Sequence, residues 1–273
     1  MLAELPEPDA RGEIARIYAE IRRLWAVPYV SSLQRHLATR PGWLEWAWAT
    51  LAPAFTAGHA QTAARRAADG LVVPRLPAIP REALAAWGLD TAAQDAMRAA
   101  CASFVRVAPI NLMFAGLLRR VLSGDRPSGH RAPDASWTPP PALGPLPALV
   151  DPATLPAAPR ALLASLGTAV GDERFVPGLY RMIAAWPGLL AHVATVLRPL
   201  LDDGATRAAC ARLLASVDAE IAPVFARLPP GPDSPPRPAE DVPAVLAALD
   251  TYRKTSPEMV VFGRMLGDAL PRP

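Results

Sequence analysis

An internal repeat is the feature that most restricts how this chain can fold. Val27-Pro28 and Val176-Pro177 begin two stretches in which matching residues occur in the same order. Towards the end of these stretches the matches keep one constant separation, with Pro109, Phe114, Leu118 and Leu122 opposite Pro257, Phe262, Leu266 and Leu270. A sequence rich in Ala, Leu and Pro can match itself by chance. Matches in register that include both Pro and Phe favour a duplication instead.

The repeat divides the sequence into three parts. We predict a first helical unit over residues 1–125, a linker over 126–159 and a second helical unit over 160–273. The linker is dominated by proline, including the run Pro139-Pro140-Pro141, and lacks helical periodicity. Two packed copies form a pseudo-dimer with an internal two-fold axis, and a cleft opens naturally at their seam. We therefore expect a small-molecule site between the two units.

Composition and periodicity favour an all-α fold. The chain is 51% hydrophobic but only 6% aromatic, so its apolar residues are mostly Ala, Leu and Val, which suit helices better than strands. Residues 13–25 place their apolar side chains on one helical face. Asp90 and Pro109 are expected at helix starts. The further predicted helices cover about residues 29–38, 42–57, 59–70, 91–107, 110–122, 160–170, 177–185, 188–201, 205–228, 241–252 and 258–270.

Charge, cysteine and histidine patterns exclude several classes of function. The net charge is only +3 and the arginines are scattered, which argues against a nucleic-acid partner. No uninterrupted apolar stretch reaches about 18 residues, and the N-terminal residues do not resemble a signal peptide, so no membrane partner and a cytoplasmic location are expected. Cys101 and Cys210 form no CxxC pair, and the four histidines lack metal-ligand spacing. We predict no metal and no cofactor, and a homodimer stays an open alternative.

Short motifs in a fixed order connect the two halves of the chain to a known family. In the first half they are Glu13-Ile14, Val27-Pro28-Tyr29-Val30, Arg35, Leu37-Ala38, Pro41-Gly42, Trp48 and Pro109-Ile110-Asn111-Leu112. In the second half, Ser256-Pro257-Glu258-Met259 has the place equivalent to the last of these. This order resembles the group I D,L-2-haloacid dehalogenases, a family also called halocarboxylic acid dehydrogenase. The resemblance covers most of the chain, although each motif is short.

The resemblance implies an all-α protein of two repeats around a central pocket that hydrolyses short 2-haloalkanoic acids without a metal or organic cofactor. In that family an aspartate activates a water molecule, which displaces the halide directly at the α-carbon. A polar amide near the site holds the substrate carboxylate, and Asn111 stands in its place here. The substrate-binding residues that the resemblance implies are Ser31, Gln34, Asn111, Phe114, Gly178, Leu179, Tyr180, Met259 and Phe262.

The chain departs from this family at the catalytic position. The family aspartate precedes a Tyr-Arg pair, which here is Tyr180-Arg181, and the preceding residue is Leu179. A leucine cannot accept a proton, so the family mechanism cannot run unchanged. Three alternatives would restore a base: His192, Asp172 or Glu173 from the preceding loop, or an aspartate that aligns several residues away.

Three functions therefore stay open from the sequence. The first is a hydrolase acting on carbon-halogen bonds, with an unknown catalytic residue. The second is a non-catalytic protein that binds a small carboxylic acid or an apolar ligand. The third is a structural protein whose seam is filled by Leu179, Met182 and Met259. Ionisable side chains in the cavity distinguish the first two functions, and the cavity volume distinguishes the third.

Overall fold

The protein is mostly helical. A computed structural model describes residues 3–129, 137–170, 173–229 and 237–272. Over these ranges the α-helices are α1 Gly12–Trp25, α2 Ser32–Leu37, α3 Trp43–Thr56, α4 His59–Ala68, α5 Arg81–Ala86, α6 Thr91–Leu122, α7 Ala157–Ser165, α8 Gly178–Ile183, α9 Pro187–Leu201, α10 Gly204–Phe225 and α11 Val242–Ala269. These ranges also contain two strands, β1 Thr168–Val170 and β2 Glu173–Phe175, and two 3-10 helices, Glu7–Asp9 and Pro152–Thr154.

Several helices form where the sequence predicts them. Helix α1 buries one face, because its apolar residues recur every three or four positions. The predicted N-cap Asp90 is confirmed, since its carboxylate accepts a hydrogen bond from the amide of Ala93 at 2.8 Å. Asp203 caps α10 in the same way, accepting from the amides of Ala205 and Thr206. Helix α5 was not predicted from the sequence.

Two long helices form the centre of the fold, and here the sequence prediction was wrong. Residues 91–107 and 110–122 were predicted as separate helices, as were 241–252 and 258–270. The structure has one continuous helix in each case, α6 and α11, which pack against each other. Pro109 and Pro257 lie inside them and are buried. Each proline removes one backbone hydrogen bond, but burial of apolar side chains on both sides keeps the helix continuous.

A β-hairpin replaces the end of another predicted helix. The helix expected over residues 160–170 ends at Ser165, and Thr168–Val170 pairs in antiparallel fashion with Glu173–Phe175. Thr168 lies opposite Phe175, whose buried ring anchors the hairpin to the core. The fold is therefore mostly helical with one small hairpin rather than purely helical.

Helix α6 is the core of the molecule. By length and composition alone it could cross a membrane, but 83% of its most apolar window is buried against other parts of the protein. Burial of this kind is typical of a core helix.

Candidate functional site

A cavity lies between the central helix pair and the two short helices α2 and α8. Its volume is about 50 Å³. One buried water needs roughly 10–15 Å³, so the cavity can hold a few waters or a small organic molecule. The first half of the chain contributes Tyr29, Ser31, Ser32, Arg35, Phe104, Val107, Ala108 and Asn111. The rest of the lining is Leu149, Phe175, Pro177, Gly178, Met182, Tyr252, Thr255, Ser256 and Met259.

A buried amide lies in the cavity wall. Asn111 donates from Nδ2 to the hydroxyl of Ser31 at 2.8 Å, and its Oδ1 accepts from Nε2 of Gln34 at 3.4 Å. Gln34 is fully buried and is outside the described lining. These two bonds fix the orientation of the Asn111 amide.

A guanidinium also lines the cavity. Nη2 of Arg35 lies 2.6 Å from a carboxylate oxygen of Glu4, and only 12% and 14% of the two side chains are exposed. The same nitrogen donates to the hydroxyl of Ser32 at 3.3 Å. The N-terminal segment is held against α2 as well, since the amide of Leu5 donates to the carbonyl of Arg35 at 3.0 Å. The cation in the cavity wall is thus paired from outside the cavity.

Two phenols line the cavity. The ring of Tyr29 packs against Phe104 with centroids 5.6 Å apart, and Tyr252 contacts Phe175 edge-on at 5.3 Å. Both hydroxyls are buried and have no hydrogen-bond partner among the described residues. Burial raises the pKa of both tyrosines far above 10, so they stay protonated and can donate a hydrogen bond.

The structure separates the residues that the resemblance implied into two groups. Ser31, Asn111, Gly178 and Met259 line the cavity. The second group is buried in the core, outside the described lining. It comprises Phe114, Leu179, Tyr180 and Phe262, together with Gln34 described above. Successive residues of a helix point about 100° apart, so Gly178 and Leu179 cannot face the same way.

Sequence reasoning missed several lining residues, although a signal for them existed. The match of Asn111 with Met259 has the same separation as the match of Pro109 with Pro257. Moving one and two helical turns back along both helices reaches the remaining lining residues of the pair. They are Phe104, Val107 and Ala108 on α6 and Tyr252, Thr255 and Ser256 on α11.

The candidate bases of the sequence analysis do not meet in the cavity. His192 is half-buried on α9 and packs against the ring of Trp87, with centroids 5.1 Å apart, outside the described lining. Burial lowers the pKa of His192. Asp172 and the side chain of Glu173 lie outside the described residues. Within the described lining there is no carboxylate and no imidazole, and the described ranges hold no metal-binding group of three or more His, Cys, Asp or Glu.

If the cavity binds 2-chloropropanoate, we expect His192→Ala to change that affinity less than twofold, because this ring is outside the described lining. Isothermal titration calorimetry of the variant beside the wild type measures this. A tenfold loss of affinity with an unchanged melting temperature would contradict the placement of His192.

The chain is similar in fold to solved D-2-haloacid dehalogenases. One structure, of a mutant with D-2-CPA, superposes with a TM-score of 0.72 at 19% identity, covering 97% of this chain and 96% of that chain. Another, with L-LA, gives 0.73 at 19% identity, covering 98% and 96%. No protein-family model and no curated protein sequence matches the chain. At this identity the similarity establishes the fold, and function has to be argued from the site.

Proposed function

We propose that the protein binds a small carboxylic acid in the cavity and does not hydrolyse carbon–halogen bonds. The observation that carries this proposal is the chemistry of the described lining, which combines hydrogen-bond donors with apolar walls and contains no carboxylate or imidazole. Hydrolysis by water attack needs a general base within hydrogen-bond reach of that water. Neither a guanidinium nor a protonated phenol can serve as that base at neutral pH.

The polar groups of the cavity favour an anionic ligand. Arg35 supplies a permanent positive charge, and Asn111 and the two tyrosines supply further donors. Apolar side chains such as Val107 and Met259 complete the lining and suit a short aliphatic tail. A charged head group and a small apolar body together describe a short monocarboxylic acid.

We also propose that the two halves, residues 1–125 and 160–273, are copies of one unit joined by the linker 126–159. The cavity walls support this duplication. Each of the four α6 lining residues pairs with an α11 lining residue at the separation of the matched prolines: Phe104 with Tyr252, Val107 with Thr255, Ala108 with Ser256, and Asn111 with Met259. The linker contributes Leu149 to the lining. Such paired walls are expected when a site forms at a seam between repeats.

Hydrolysis of 2-haloalkanoic acids is the second candidate function. It is favoured by the fold match to D-2-haloacid dehalogenases over nearly the whole chain. A base would then have to come from outside the described lining, and Asp172, one of the candidates from the sequence, lies outside the described residues.

Halide release and binding, measured on the same preparation, test the proposal. We expect racemic 2-chloropropanoate and propanoate to bind in calorimetry, and no chloride release above the protein-free control. Chloride release would overturn the non-catalytic proposal, and its loss in Asp172→Asn but not in Glu173→Gln would assign the base. Failure of both acids to bind a correctly folded protein would overturn carboxylic acid binding altogether.

A further inference from the structure

We propose that the carboxylate of the ligand binds to Arg35 and to the hydroxyls of Tyr29 and Tyr252, and that Glu4 competes with it for the same guanidinium. This assignment rests on the proposed function, because it names the groups that hold the acid. It differs from the expectation that an amide, Asn111, holds the carboxylate.

Arg35 has donors to spare. A guanidinium carries five N–H groups, whereas Glu4 and Ser32 both use Nη2. Its Nε is buried and has no hydrogen-bond partner among the described residues. An unsatisfied buried N–H of a charged group is costly, and a carboxylate is the acceptor that best matches guanidinium geometry. The unpaired Nε–H of Arg35 therefore points to a carboxylate as its missing partner.

The hydroxyls of Tyr29 and Tyr252 also lack a hydrogen-bond acceptor among the described residues. The Ser31 hydroxyl lies near Tyr29 and the Ser32 hydroxyl near Tyr252, yet neither pair meets hydrogen-bond geometry. Only 6% of Tyr252 is exposed, and its edge-on contact with Phe175 restricts the ring. Buried hydroxyls normally have a partner, and an anion in the cavity accepts from both. Asn111, in contrast, already donates one N–H of Nδ2 to Ser31, and its Oδ1 accepts from Gln34.

Glu4 neutralises the cation that the ligand needs. Its carboxylate contacts Arg35, and most of both side chains is buried. Little solvent therefore screens the repulsion between Glu4 and a second carboxylate that binds the same guanidinium. Like charges brought to one cation repel each other. Removing the charge of Glu4 should therefore tighten ligand binding, although a favourable ion pair is lost.

Calorimetric titration of propanoate tests the assignment, with propanamide as the uncharged analogue. We expect Arg35→Gln to weaken propanoate binding at least about tenfold and Tyr252→Phe about threefold or more, since each removes donors to an anion. Glu4→Gln should tighten binding roughly fivefold. Propanamide should bind the wild type weakly and respond little to any of these changes.

Arg181→Gln is the matched control. This arginine lies on α8, donates from Nε to the carbonyl of Val150 at 3.1 Å and is outside the described lining, so its loss should change affinity less than twofold. Melting temperatures verify folding, and Tyr252→Phe with Glu4→Gln keep the test decisive if Arg35→Gln does not fold.

The outcomes separate this assignment from the function on which it rests. Failure of the wild type to bind propanoate overturns both. If the wild type binds but Arg35→Gln or Tyr252→Phe binds equally well, the assignment alone is overturned and the carboxylate lies elsewhere in the cavity. Weaker binding by Glu4→Gln overturns the competition and makes Glu4 a structural support of Arg35.

Discussion

Leu179→Asp is expected to unfold the protein at moderate temperature, whereas Gly178→Asp is expected to leave it folded. Leu179 is 0% exposed and lies in the core, so the variant loses a buried leucine and buries a carboxylate. The combined cost is at least about 4 kcal/mol, which corresponds to a fall in melting temperature on the order of 10 °C. Thermal melting followed by circular dichroism measures it, with Leu179→Met as the conservative control at under about 1.5 kcal/mol.

Gly178 offers the carboxylate a different environment, because it lines the cavity. A Cβ at this position lies 3.1 Å from Cζ of Phe104 and 3.5 Å from Cδ2 of Leu149, so the neighbouring side chains must move by only a few tenths of an ångström. We expect a cost of about 1–3 kcal/mol. Gly178→Ala adds the same Cβ without the charge, so it measures the cost in stability of accommodating the Cβ alone.

The same pair of variants tests which residue corresponds to the family aspartate. Any gain of chloride release from 2-chloropropanoate should appear in Gly178→Asp and not in Leu179→Asp, since only the former brings a carboxylate to the cavity. A folded, active Leu179→Asp would contradict the orientation of α8.

Glu258→Gln is expected to stabilise the protein at pH 8 and to have little effect at pH 4.5. Burial raises the pKa of Glu258 to about 7, although Lys254 acts in the opposite direction. Tyr180 and Cys210 are the other titratable groups close enough to interact with this carboxylate. The folded protein therefore holds a proton that the unfolded chain releases near pH 4.5. Stability falls as pH rises between these two values, because the native state binds more protons than the unfolded state.

The expected gain for Glu258→Gln at pH 8 is about 2–3 kcal/mol in the free energy of unfolding, because glutamine keeps the shape of a protonated glutamate. Urea denaturation of both proteins at pH 4.5, 6 and 8 measures it. Asp268→Asn, at an exposed position on the same helix, keeps Glu258 and is the control, so its stability should fall between pH 4.5 and 8 as that of the wild type does. A variant less stable than the wild type at pH 8 would mean that the ionised carboxylate stabilises the fold.

The sequence predicted the local features of this protein well, because they depend on neighbouring residues. The period of apolar residues placed α1 and most other helices, and Asp90 marked the start of α6. The haloacid dehalogenase resemblance pointed to the fold that D-2-haloacid dehalogenases share. It also named Asn111, which lines the cavity. None of these inferences needed contacts between residues far apart in the chain.

Tertiary packing decided the remaining features. Pro109 and Pro257 favour helix starts by local preference, and only burial on both sides keeps α6 and α11 continuous. Helical periodicity gives the angle between the side chains at positions 178 and 179. Which of these two positions faces the cavity depends on how α8 packs against α6 and α11. The pairing of Glu4 with Arg35 joins two segments that only the folded chain brings together. Sequence periodicity thus determined which residues share a face, and packing between distant elements decided what each face contacts.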